Sequence, residues 1–304
     1  MLAIHLEESD LEEVGWGKKM DSEVDAQSVK TSAQSDKYET AGPAWSERAT
    51  AGELSAVLDP SGTRVRNLFL HHTSLAAAKH SVRRFAPRPG AHVRLLDYGC
   101  GTGRFIRHFG SRGYQVTGMD ITPEMLDEAE RFGLPQGCET KLADGGSLAM
   151  PDNSVDFIWI CGVLKYALFP PAAACRGGDT DSADAEDPDF VPTYDGLARE
   201  MYRVLKDGGC VANLEMYVDV APDPFLPGFG KAGFHLERID VVRRENGRFE
   251  RYQTGRIPSP LVPLNAAAAV WIRRALDDPH RPLVGFRDYL FLWKKPNHDT
   301  YTSP

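Results

Sequence analysis

Leu95-Leu96-Asp97-Tyr98-Gly99-Cys100-Gly101-Thr102-Gly103-Arg104 is the stretch whose reading decides the fold. Apolar residues run into an acid and then into three alternating glycines, the pattern of a buried strand that stops in a turn and opens a helix. Glycines carry no side chain, so the backbone N–H groups of such a turn, and the helix start behind it, can approach a ligand closely. Phe105, Ile106 and Phe109 fall on one helical face, and Gly110 to Gly113 ends that helix. Gln115 to Met119 reads as a second buried strand, stopping at Asp120, and Thr122-Pro123-Glu124 behind it is a good helix start.

The glycine spacing selects among nucleotide-type ligands. A dinucleotide fingerprint, G-x-G-x-x-G, would place its third glycine at Arg104; here Gly103 comes one residue early, giving D-x-G-x-G-x-G. Four further elements follow in order. They are Glu139-Thr140-Lys141-Leu142-Ala143-Asp144-Gly145, the strand Val155 to Cys161 with its lead-in Pro151-Asp152-Asn153-Ser154, the amphipathic stretch Leu197 to Leu205, and Lys206-Asp207-Gly208-Gly209 before a strand over Cys210 to Tyr217. Together they resemble the class I S-adenosylmethionine (SAM)-dependent methyltransferases of the type 11-like kind. The resemblance spans roughly residues 65–245, and Asp207 departs from it by standing where a proline is usual.

The resemblance implies an α/β fold, a Rossmann-like seven-stranded, mostly parallel sheet with an antiparallel last strand, and SAM as cofactor. It assigns the cofactor to Asp97, Gly99, Cys100, Gly101, Thr102 and Gly103 at the turn, to Asp120, Ile121 and Met125 after the second strand, to Ala143, Asp144 and Gly145 after the third, and to Cys161 and Gly162 after the fourth. In it Asp120 holds the ribose hydroxyls, through hydrogen bonds that contribute roughly 1.5–3 kcal/mol each to a charged acceptor, and Asp144 accepts from the adenine amino group. On the residues alone, Asp120 is equally a helix N-terminal acid and Asp144-Gly145 an ordinary turn.

Composition bounds the rest. The chain has 304 residues, 42% of them hydrophobic and 10% aromatic, enough for a sizeable core. No apolar run is long enough to span a bilayer, and five acids within the first 16 residues are the wrong chemistry for a secretory signal. Five cysteines (Cys100, Cys138, Cys161, Cys175, Cys210) form no C-x-x-C pair; they read as reduced thiols of a cytoplasmic protein, with no metal site. The net charge of −8 is concentrated: residues 1–40 carry a net −6 and residues 177–190 another −6, leaving the remaining body near neutral. Residues 1–40 read as a disordered acidic tail and 41–304 as one catalytic domain. A nucleic-acid partner is disfavoured by this balance, and the oligomeric state is left open.

Helices are expected over Thr50 to Leu58 and Val65 to Phe85, the latter with Leu68, Leu75, Ala78 and Val82 on one stripe and His71, His72 and His80 in the same stretch. Later strands fall near 235–242 and 286–294. Two insertions, 168–193 and 247–284, the second with a helix near Leu264 to Leu276, leave the sheet at the carboxyl ends of strands, where open α/β sheets bind ligands. They are read as substrate lids. Acceptor-side candidates are Lys165 and Tyr166 after strand four and Glu215 and Tyr217 at the end of strand five; no single catalytic residue stands out. The expected function is methyl transfer to a small-molecule acceptor, with O-, N- and C-methylation all open. The alternatives are a nucleic-acid or protein methyltransferase, for which Arg243, Arg244, Arg248, Arg251 and Arg256 could form a basic strip, and an NAD-dependent oxidoreductase.

Overall fold

A computed structural model describes residues 41–58, 63–90, 92–143, 147–164, 193–218, 222, 225–244, 259–277, 279 and 287–297. The proposed acidic tail, most of the first insertion and both flanks of the second lie outside them.

Seven strands form one sheet in the order β3-β2-β1-β4-β5-β7-β6. They are β1 (Arg94–Tyr98), β2 (Gln115–Asp120), β3 (Glu139–Leu142), β4 (Val155–Cys161), β5 (Leu205–Val218), β6 (His235–Arg244) and β7 (Arg287–Lys294). β7 is antiparallel to both β5 and β6, and the pairings among β1 to β5 are parallel. The chain runs outward from β1 through β2 to β3 and then returns to β4 on the other side of β1. The carboxyl ends of β1 and β4 therefore flank the crevice at which sheets of this kind receive ligands.

Alternation along the strands builds two cores. Leu96, Ile158, Ile160, Val211, Phe291 and Trp293 face one side, against Leu197, Met201 and Val204 of α6 (Thr193–Val204) and Phe229 of α7 (Pro227–Lys231). Leu95, Phe157, Trp159, Ala212, Leu214 and Leu292 face the other. There they meet Leu75, Ala78 and Val82 of α3 (Arg64–Phe85), Phe105, Ile106 and Phe109 of α4 (Arg104–Gly110), and Val270 of α8 (Val262–Leu276). Strands buried on both faces explain the near-continuous apolar runs in the sequence.

Two local differences from the sequence reading have physical causes. The helix expected over Thr50 to Leu58 is a 3-10 turn, Ala49–Ala51, and a short α2 (Glu53–Val57), broken at Gly52, whose φ of 98° lies outside the helical region; before it, α1 spans Ala41–Arg48. β5 begins at Leu205 rather than Cys210, because Gly208 donates its N–H to the Lys295 carbonyl and Lys295 donates to that of Gly209 (both 3.0 Å). The Lys206–Gly209 turn is thereby drawn into the sheet.

Lys295 fastens this amino edge. Its buried Nζ donates to Asn153 Oδ1 (2.8 Å) and to the carbonyls of Tyr202 (3.0 Å) and Leu205 (2.7 Å). Lys295→Met would strand these acceptors, each at about 1–3 kcal/mol. A fall in unfolding free energy of at least about 2 kcal/mol is expected in urea titration, and an unchanged midpoint would show that the ammonium holds nothing in place.

Candidate functional site

The turn after β1 is fixed from three sides. Gly99 and Cys100 donate their N–H groups to the Met119 carbonyl at 2.7 and 2.9 Å, tying the turn to the end of β2. Asp120 closes it: Oδ2 accepts from the Gly101 N–H (2.8 Å) and Oδ1 from the Thr122 N–H (3.0 Å), so one carboxylate joins the turn to the start of α5 (Pro123–Arg131). Gly99 and Gly101 adopt positive φ, 73° and 52°, which L side chains rarely adopt. A Cβ on Gly99 would collide with Val163, and one on Gly101 with Val57. The turn is thus a strip of bare backbone between α2 and the segment after β4.

The third side is the segment before α3. Thr102 donates its hydroxyl to the Glu53 carbonyl (3.0 Å), Arg107 pairs with the Glu53 carboxylate (2.5 Å), and Ser46 donates to Glu124 (3.0 Å). Met125, expected against the cofactor, is packed with Ala49 and Ala56, with Trp45 and Val57 alongside. Sequence reading placed this segment only as helices preceding the first strand; its apolar positions are too few to reveal what they cover.

Asp97, at the carboxyl end of β1, is only 2% exposed, and neither of its carboxylate oxygens has a hydrogen-bond partner among the described residues. Burial pushes its carboxyl up to about 7; Arg104 opposes the rise and the charge of Asp120 adds to it. Burial also raises Asp120, against the backbone N–H groups, Gly101 and Thr122 foremost, that favour its charged form. Ile121, beside it, is 59% exposed, an apolar side chain presented at the carboxyl edge. Ala143 donates its N–H to the Asp120 carbonyl (2.8 Å), which brings the end of β3 to the same edge. Across the crevice, Gly162 donates to the Leu214 carbonyl (2.7 Å) and Cys161 Sγ accepts from Arg104 (3.4 Å).

Asp97, Gly99 to Gly103, Asp120, Ile121, Ala143, Cys161 and Gly162 therefore converge on the carboxyl edge of β1 to β4. Asp144, Gly145, Lys165 and Tyr166 lie outside the described residues, as does the side chain of Tyr217. Glu215 is fully buried and accepts the Leu164 N–H (2.9 Å), shaping the segment after β4.

Two further residues complete the edge: Arg104, to which sequence reasoning gave no role, and His71, which it placed on a segment that could fold over the site. Arg104 opens α4, and His71 reaches it from α3, with Nδ1 3.4 Å from Arg104 Nη1. Burial, then the Arg104 charge, pushes His71 down to about 3, so its imidazole is neutral. The arginine signal was present in the sequence directly behind Gly103; its inward direction was not. Further along, Arg243 pairs with Asp288 and donates to Thr73 Oγ1 (3.4 Å), and Arg244 pairs with Asp277 (2.9 Å). Two members of the supposed basic strip are thus engaged internally. An open groove of about 370 Å³, lined by His92, Arg94, Asp152 and Lys206 among others, lies at the opposite, amino edge. No cluster of potential metal ligands occurs among the described residues, and no helix there is long and apolar enough to cross a membrane.

Comparison with known proteins adds the class. Residues 96–176 match the family described as a methyltransferase domain. The malonyl-[acyl-carrier protein] O-methyltransferase of Serratia marcescens is 30% identical over 118 residues, 39% of this chain and 36% of that protein. The demethylmenaquinone methyltransferase of Desulfitobacterium hafniense is 27% identical over 166 residues, 52% of this chain and 53% of that one. The chain thus spans about half or less of the length of these curated relatives. The Haloferax volcanii methyltransferase solved with the Trm112 methyltransferase activator shares the fold, with a TM-score of 0.50 and 17% identity over 83% of this chain and 98% of that one. Residues 96–176 are thus similar to a methyltransferase domain, on a seven-stranded sheet of the same fold as that solved structure.

The electrostatics give a signed test. Asp97 ionises near 3.8 in an unfolded chain but at about 7 when folded, so between these values the folded form holds a proton the unfolded form has lost, and rising pH lowers stability. His71 and His108, depressed to about 3 and about 4, act in the opposite direction over the same acidic range. Asp97→Asn removes only the first trend. Relative to wild type, ligand-free Asp97→Asn should become progressively more stable from pH 4 to pH 7, by up to about 4 kcal/mol. Urea midpoints across that range measure this, and a pH-independent difference would contradict it.

Proposed function

We propose that the protein is a SAM-dependent methyltransferase acting on a small-molecule acceptor. The observation that carries the reading is Asp97: a buried carboxylate whose two oxygens have no partner among the described residues, set at the end of β1 beside a bare glycine backbone. Such a group is costly unless a ligand supplies hydrogen-bond donors. SAM fits, since its methionine ammonium is a donor and a cation, and its ribose hydroxyls suit Asp120.

When bound, SAM supplies a methyl group already activated by its sulfonium. The chain's own residues then hold the nucleophile in line with it, and orientation of that kind can supply roughly 7–11 kcal/mol. Asp97 and Asp120 fix the donor; Gly162 and Cys161, at the end of β4, border the space in which transfer occurs. His71, neutral through the physiological range, can orient an acceptor by hydrogen bonding but does not hold a proton there. This favours acceptors that arrive already nucleophilic, as carboxylate, enolate or free amine.

The names of the relatives support a small acceptor: one acts on malonyl-[acyl-carrier protein], the other on demethylmenaquinone. The ion pairs of Arg243 and Arg244 support it too, by withdrawing charge that a nucleic acid would need. Insertions 168–193 and 247–284, as lids, and Lys165, Tyr166 and Tyr217, as acceptor contacts, belong to this proposal. So do Asp144 at the adenine and a location in the cytoplasm.

Titration calorimetry with SAM and S-adenosylhomocysteine tests the reading. Wild type should bind both. Asp120→Ala should weaken binding by roughly 1.5–3 kcal/mol through lost charged hydrogen bonds, and Gly101→Val should abolish it by filling the backbone cradle against Val57. Absence of heat with either nucleoside, or full binding by Gly101→Val, would refute the proposal.

A further inference from the structure

α8 is apolar on opposite faces, and only one of them is covered. Val262, Ala266 and Ala269 are buried against Phe69 of α3, and Val270 joins the core that includes Val242 of β6. On the other side Leu264, Ala268, Trp271 and Ala275 follow one another at helical spacing, with Ala267 and, just before the helix, Leu261 beside them; all six are exposed. Leu264 is 72% and Trp271 73% exposed. This face carries no charged residue. A helix apolar all round is normally buried all round, and a grouped apolar surface marks a contact.

Arginines flank the face. Arg274 stands near the carboxyl end of α8, and Arg238 of β6 donates to its carbonyl (3.1 Å). Both guanidiniums pair with one carboxylate, Asp240, with Arg274 Nε at 2.7 Å. Arg84, at the end of α3, is a further cation close enough to oppose the charge on Arg274. Asp240 offsets one of these charges, so the flank stays cationic, and the Arg238 side chain is 52% exposed. A segment that covers α8 has to be apolar and acidic together.

A second copy would set a patch of the same sign against this one. An anionic bilayer would attract the arginines but repel a chain whose net charge is −8. The chain's own amino-terminal residues have the required composition. Leu2, Ile4, Leu6, Leu11 and Val14 are interspersed with Glu7, Glu8, Asp10, Glu12 and Glu13, and the first 16 residues hold no lysine or arginine. The 24 residues from 17 to 40 reach about 80 Å when extended, against a diameter of roughly 45 Å for a domain of this size. Tethering of this kind supplies an effective concentration of about millimolar.

We propose that residues 1–16 dock on the exposed face of α8, their apolar side chains against Leu264 and Trp271 and their acids against Arg238 and Arg84. Segments of such composition order on contact with a partner surface.

Cleavage of the full chain by a glutamate-specific protease, followed by mass spectrometry at Glu7, Glu8, Glu12 and Glu13, tests the docking, because the rate reports the undocked fraction. Wild type at low salt should be cut in this segment at least about 10-fold more slowly than full-length Leu264→Asp or Trp271→Asp. Arg238→Glu and 0.5 M salt should each raise the wild-type rate about threefold, as screened or reversed charge requires. Equal rates in wild type and both α8 variants would overturn the proposal. So would a wild-type dimer that Trp271→Asp makes monomeric with cleavage unchanged, which would assign the face to a second copy. Sedimentation with phosphatidylglycerol vesicles that is lost in Trp271→Asp, again with cleavage unchanged, would assign it to a bilayer and overturn the proposal equally. If Trp271→Asp does not fold, Leu264→Asp and the salt dependence decide.

Discussion

The carboxylate of Asp120 is the joint on which the site depends. With one oxygen on the Gly101 N–H and the other on the Thr122 N–H, it fixes the turn after β1 relative to the helix start after β2. Both donors belong to backbone, so the link sets the path of the chain rather than the pose of a side chain. Met119 reinforces it by accepting from Gly99 and Cys100. The sheet supplies parallel strands whose carboxyl ends lie at one edge; this joint makes those ends one surface.

Charge burial is the second organising constraint. Asp97, Arg104 and His71 are all withdrawn from water at the carboxyl edge, and the shifted carboxyl and imidazole show that the fold disfavours their charged forms in the absence of a partner. Elsewhere the same chain pairs its buried ions: Arg243 with Asp288, Arg274 with Asp240 at 2.7 Å, and Lys295 with three oxygens. The contrast separates ions that hold the fold from ions set out for a ligand. Stability lost at one edge is the expected cost of pre-organising a binding site there.

Much of this was legible in the sequence, for reasons visible in particular residues. Strand positions were readable because β1 and β4 are buried on both faces and so rich in consecutive apolar residues. The glycine turn was readable because Gly99 and Gly101 occupy backbone conformations that few other residues accept. The covering role of residues 41–58 was not. It rests on Glu53 bonding to Thr102 and Arg107 some fifty residues away, and no local periodicity announces such contacts. Nor was it legible that Met125 packs with Ala49 and Ala56, with Trp45 and Val57 alongside. Arg104 was given no role, because the direction of a side chain at a helix start depends on what packs behind it, and His71 was placed only on a segment that could fold over the site.

Amide hydrogen exchange of the full chain, with and without S-adenosylhomocysteine, measures the central claim most directly. The account predicts slowed exchange confined to residues 99–103, 120–122 and 143, the carboxyl edge of β1 to β3. Unchanged exchange there, or protection confined to the groove around His92, Arg94 and Lys206 at the opposite edge, would contradict it.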